Sequence, residues 1–247
     1  MKKALKFTLW VLPVAAVATF FTLLYQLDLY DEQTVQAMVD QLGSLEAVIA
    51  ISMVQSMIYV IVCSLFGYIL AEKVGLMAPI RLERKSLVRT ALLSVAAGVI
   101  FSLDYWTFGA AEPQIREATA AGMTPSGWIA SILYGGVVEE ILLRLFTLSL
   151  ITWVIWKLFY RREQTVPKGV AAAANVIAAL LFAAGHLPAT ITAFGALTPL
   201  LIARCFLFNG GLGLLFGRLY RRYGIQYAMV SHALCHITSK LIWLIFL

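Results

Sequence analysis

Seven apolar runs, each about as long as a bilayer is thick, leave this chain few folds to choose from. A hydrocarbon core of about 30 Å takes about 20 residues of helix to cross. Within it every backbone N–H and C=O must be satisfied inside helices or a closed barrel. No stretch alternates polar and apolar residues in the manner of barrel strands. The expected fold class is therefore all-α, a polytopic transmembrane helical bundle. Its spans read as about 4–25, 45–71, 87–108, 125–159, a fifth starting near 169, 199–220 and 226–247. Pro188 should kink or interrupt the fifth, and an eighth span arises if the 188–199 region divides it. The run from 125 to 159 would extend about 52 Å as one helix at 1.5 Å per residue, so it must tilt, bend or project.

Composition agrees. The chain is 61% hydrophobic and only 13% charged, against about 25% charged in a soluble domain. Its 247 residues make one membrane domain, with 1–124 as accessory spans and 125–247 as the core that carries the motifs. The net charge of +6 does not indicate nucleic acid, because the lysines and arginines sit at the ends of apolar runs as topology signals do. They mark the amino terminus (Lys2, Lys3, Lys6) and the loops after spans two, four and six. By the positive-inside rule the amino terminus is cytoplasmic and the carboxyl terminus faces out. The expected location is a bacterial plasma membrane. The first run lacks a small-x-small cleavage pattern and reads as an uncleaved span rather than a signal peptide. Cys63, Cys205 and Cys235 are scattered within apolar segments and read as small hydrophobes, not as a disulfide or metal framework.

Against that background, the sequence Ser131-Ile-Leu-Tyr-Gly-Gly-Val-Val-Glu139-Glu140-Ile-Leu-Leu-Arg144 is anomalous. Each central carboxylate or guanidinium costs roughly 2.5–3.5 kcal/mol, so three approach about 10 kcal/mol before pairing. Glu140 and Arg144, four apart, form a helical ion pair with the acid on the amino-terminal side. Glu139 points about 100° away on an ordinary helix and is left without a partner. Gly135, one turn earlier, lets another backbone or a substrate come close.

All three histidines also lie in apolar segments: His186 in the fifth span, His232 and His236 on one face of the seventh. Glu139 lies about 21 Å along its span from Pro125, and His232 about 9–12 Å from the start of its own. Both then fall in the cytoplasmic half. His186 is about 26 Å from Gly169, which fits only if the first turns of span five project into the cytoplasm. Arg204 and Asp104 come out at one depth, about 9 Å below the outer face, and are expected to pair. The rival role for Arg204, with Asn209 beside it on the same span, is to hold a substrate, Arg204 through a carboxylate.

Such a set contains what amide hydrolysis without a covalent intermediate requires. Glu140 stays ionised against Arg144, Glu139 serves as base, one imidazole helps to hold the water, and others donate to the oxyanion. No Ser or Cys has an evident nucleophile setting. Glu139, His186, His232 and His236 also make a plausible zinc ligand set, in which zinc would activate the water. The helical His-Glu-x-x-His signature is absent, since no Glu follows His232.

Glu139-Glu140-x-x-x-Arg144, Phe182-x-x-x-His186 and a last-span His after Gly-Arg-Leu-Tyr-Arg-Arg-Tyr-Gly together resemble the CPBP family. These are the CAAX-processing and bacteriocin-processing intramembrane proteases, also called Abi. The resemblance covers about 125–237 and carries all three motifs in order; the first three spans match only in general character. It implies that Glu139 is the base acting with His186 on water, that Glu140 and Arg144 support it, and that His232 stands at the oxyanion. In the CAAX-type branch the third motif is His-x-x-x-Asn; here His236 takes the Asn position. A His can replace Asn as a donor and is a far better metal ligand. The metal-free scheme is favoured over a zinc-dependent one. The implied substrate is a membrane-embedded or lipid-modified peptide or protein, cleaved at a site open to the cytoplasmic half of the bilayer. The alternatives are a non-catalytic scaffold or immunity protein that keeps the motif for stability, and an ion or metal transporter, against which the absence of repeat symmetry counts.

Overall fold

A computed structural model describes residues 1–247. It has no strands, and seven helices are long and apolar enough to cross a membrane. They are α1 (Lys2–Leu29), α2 (Leu45–Lys73), α3 (Arg84–Ala111), α4 (Pro125–Phe159), α5 (Lys168–Phe194), α6 (Pro199–Tyr223) and α7 (Ile225–Phe246). The protein is an integral membrane helical bundle. The fifth span does not divide into two. It breaks at His186, where Pro188 stands at the start of a continuing helix, Leu187–Phe194, and so needs no amide partner.

Side chains that face outward are apolar, as lipid demands: Trp10 is 74% exposed, Leu92 68% and Ile245 71%. Packing inside depends on small residues. A Cβ on Gly98 of α3 would lie 2.6 Å from Thr238 Cβ and 2.7 Å from the Cys235 carbonyl of α7, so glycine alone admits that close crossing. Gly213, in the Gly210-Gly211-Leu-Gly213 stretch of α6, similarly faces Ala179 and the Arg144 guanidinium, whereas Gly211 faces open space. Within that stretch Gly213 packs against its own chain.

Two short helices lie between spans and escaped sequence reading. Glu32–Leu42 has local signals at both ends. The Thr34 N–H donates to the Asp31 carboxylate, and Gly43 closes the helix at a φ of 93°. That capping bond holds the exposed Asp31 carboxyl below its ordinary range. Gln114–Ala121 follows Pro113 in the loop before α4.

The spans alternate in direction, so their ends define two faces. At one face the Tyr227 hydroxyl of α7 accepts from the Glu83 N–H beside α3 (2.7 Å), and Gln226 donates to the Pro79 carbonyl (3.0 Å). At the other the Trp243 indole donates to the Ser102 carbonyl (2.9 Å) and Thr198 to Glu112 (2.8 Å). The first face carries nearly all the cationic residues. Of nineteen Lys and Arg, only Arg116, Arg144, Arg204 and Lys240 lie elsewhere.

Candidate active site

The helix that carries the two glutamates is not an ordinary α-helix. Ala130–Glu139 and Ile141–Leu148 wind with i→i+5 bonding, as the Thr147 hydroxyl, which donates to the Leu142 carbonyl, also does. π-type segments are rare and concentrate at functional sites. Wider winding turns consecutive side chains through a smaller angle than the 100° of an α-helix. Glu139 and Glu140 can then both face the bundle interior.

One imidazole joins them. His232 Nδ1 lies 2.8 Å from Glu140 Oε1, and its Nε2 lies 3.8 Å from Glu139 Oε2. Glu140 is fully buried and also faces Arg144, 3.1 Å away on its own helix. The Arg144 guanidinium lies over the rings of Phe182 (4.5 Å to the centroid) and Phe216 (5.4 Å), where cation–π attraction partly replaces lost hydration. Its Nη2 and Glu140 Oε2 have no hydrogen-bond partner. The ion pair expected from spacing is present, but it is part of a triad with His232.

His186 approaches Glu139 from α5. Its Nδ1 is 2.9 Å from the Phe182 carbonyl and its Nε2 3.8 Å from Glu139 Oε1. A carbonyl can only accept, so the proton of neutral His186 resides on Nδ1. The same logic puts the His232 proton on Nδ1, facing the Glu140 carboxylate. Both Nε2 lone pairs therefore point at the Glu139 carboxylate across gaps too long for a direct hydrogen bond. Three acceptors that converge so need a hydrogen-bond donor between them; a water molecule has the size and two protons for that task. Gly135 makes room: a Cβ there would lie 3.1 Å from His232 Nε2 and 3.3 Å from His236 Nε2. His236 stacks on His232 with ring centroids 5.1 Å apart.

These groups form the floor of a cavity of about 610 Å³. Its walls include Tyr25, Gln26 and Tyr30 of α1 and Tyr134 of α4, none of which stood out in the sequence, because a tyrosine in or near a span is ordinary. Arg204 and Asn209 also line it. Arg204 Nε donates to Asp104 Oδ1 (2.8 Å) and Oδ2 (3.0 Å). The expected structural pair exists, and it occupies one edge of the guanidinium. Asn209 donates to Cys205 Sγ at 3.5 Å. Lys240, missed in the sequence, is buried and donates to the Gly122 carbonyl.

The cavity is lined by span ends of the face opposite the basic one. Of the four donors considered for zinc, His186 Nε2 and His232 Nε2 each lie 3.8 Å from the Glu139 carboxylate, and the His236 ring stacks on that of His232.

The fold and this cluster define a class: a membrane-embedded helical protein with carboxylates and imidazoles gathered beneath an open cavity. Residues 121–238 match the family described as type II CAAX prenyl endopeptidase Rce1-like. The matched stretch, just under half of the chain, includes both glutamates and all three histidines, and in it the chain is similar to that CAAX-processing protease family. Comparison with curated proteins and with solved structures gave no significant match.

Proposed function

We propose that the protein is an intramembrane endopeptidase of glutamate type, which cleaves a membrane-embedded or lipid-modified peptide in a bacterial plasma membrane with its basic face in the cytoplasm. The observation that carries the reading is the approach of both His186 Nε2 and His232 Nε2 to the Glu139 carboxylate, each at 3.8 Å, on a cavity floor. A water there donates its protons to Glu139 and His186, which leaves an oxygen lone pair free to attack a carbonyl. Glu139 takes the proton as the C–O bond forms and passes it to the leaving amine.

The tautomers divide the remaining roles. His236 has no hydrogen-bond partner fixing its ring and offers an N–H to the oxyanion. His232 can donate from Nε2 only as an imidazolium, whose charge Glu140 would balance, so Glu140 orients and supports it while Arg144 holds Glu140. Arg204 keeps one edge for a substrate carboxylate near Asn209.

The non-catalytic scaffold reading draws on the wholly buried Glu140–Arg144–His232 triad, which a structural role would also require. The two separate at His186, which lies outside that triad. Purified protein in liposomes is offered a farnesylated CAAX peptide and an unmodified single-span peptide. His186→Ala should remain folded and lose cleavage of whichever peptide the wild type cuts. Cleavage at the wild-type rate in that variant would remove the enzymatic reading.

A further inference from the structure

The cavity is open on one side and sealed on the other, and the charges say which side is which. Its walls come from span ends that share one face: Gln26 and Tyr30 from the end of α1, Tyr134 near the start of α4, Thr192 and Phe194 from the end of α5, and Arg204 near the start of α6. No residue of the Lys- and Arg-rich loops lines it. Between the cluster and that basic face stands a plug of fully buried side chains. Leu145 and Leu148 of α4 and Phe216 of α6 are 0% exposed, and Tyr220 is 1% exposed and hydrogen-bonded to Ser149 at 2.9 Å.

Lys and Arg in short loops accumulate on the cytoplasmic side. On that side lie the amino terminus and three loops of this chain. The loops on the other face carry Arg116 as their one Lys or Arg, among Asp28, Asp31, Glu32, Asp40, Glu112 and Glu117.

We propose that the substrate reaches Glu139 from the extracytoplasmic side of the membrane. The inference rests on the reading of Glu139 as the catalytic base. It narrows the substrate to a peptide segment presented in the outer leaflet or at the outer surface, such as part of an exported or membrane-anchored protein. A chain terminus held on the cytoplasmic leaflet would meet the plug. Exposed Gln26 and Thr192 stand at the cavity rim and Arg162 in a basic loop.

The test uses these positions. The three native cysteines are buried, so new thiols can be read over a low background. Full-length Gln26→Cys, Thr192→Cys and Arg162→Cys variants are made in a bacterial host and exposed to a membrane-impermeant maleimide, in spheroplasts and in inside-out vesicles. The rim cysteines should label at least tenfold faster in spheroplasts, and Arg162→Cys at least tenfold faster in inside-out vesicles. The reverse pattern, or equal labelling of the rim from both sides, overturns the proposal. Labelling needs no turnover, so an inactive enzyme would count against the catalytic reading alone and leave this result intact.

Discussion

His232 donates from Nδ1 to the Glu140 carboxylate at 2.8 Å and turns its other nitrogen toward Glu139. Adjacent glutamates thus share a single imidazole, one holding it and one facing its free lone pair. Glu140→Gln keeps the shape and an acceptor but removes the charge that an imidazolium would need. It should lower kcat by more than tenfold with little change in KM, a smaller loss than that of Glu139→Gln. Steady-state kinetics on folded, purified variants checks this; a variant with unchanged kcat contradicts the assigned support role.

Gly135 tests how tightly the imidazoles are packed. A methyl group at 3.1 Å from His232 Nε2 and 3.3 Å from His236 Nε2 forces both rings to shift, and displacements on this scale disturb a catalytic arrangement. Because the rings need give by only a few tenths of an ångström, Gly135→Ala should lose less than the roughly 100-fold that a 1 Å misplacement costs, while its thermal unfolding in detergent moves little. A large loss of Tm with specific activity intact would show that the glycine serves packing alone.

The Asp104–Arg204 pair ties α3 to α6 beside the cavity. Asp104 is 1% exposed, and removing one partner of a buried pair costs roughly 3–5 kcal/mol. The Arg204 side chain retains 17% exposure, which argues for the lower end, about 3 kcal/mol. Arg204→Met should lower Tm, and Asp104→Leu combined with Arg204→Met should recover most of the loss. An additive double variant would contradict the pairing.

The glycine stretch of α6 gives a paired control. Gly213→Ala must push on Ala179 and Arg144, each 3.2 Å from the new methyl, whereas Gly211→Ala meets nothing within 4 Å. Overpacking of this kind costs about 1–3 kcal/mol. Thermal unfolding should fall for Gly213→Ala and hold for Gly211→Ala. The opposite order would point to an interface between chains.

Much of the architecture was legible because lipid imposes a length and a polarity. The seven spans follow from hydropathy, and the break at His186 from Pro188. Asp104 and Arg204 could be paired because depth along a helix is a simple count. What was not legible depends on rotation. The His232–Glu140 bond and the shared orientation of Glu139 follow from π winding in α4, which no local signal in Ala130–Leu148 announces. Tyr25, Gln26 and Tyr30 became cavity walls only through the packing of α1, which carries no motif.

The most direct test of the central claim is the cleavage rate of Glu139→Gln in proteoliposomes, measured beside wild type with and without a strong metal chelator. General-base catalysis contributes about 10²–10⁴-fold. The account predicts a loss of that size in the variant, an intact Tm, and wild-type activity indifferent to the chelator. Cleavage by Glu139→Gln at the wild-type rate, or wild-type activity abolished by the chelator and restored by zinc, would contradict it.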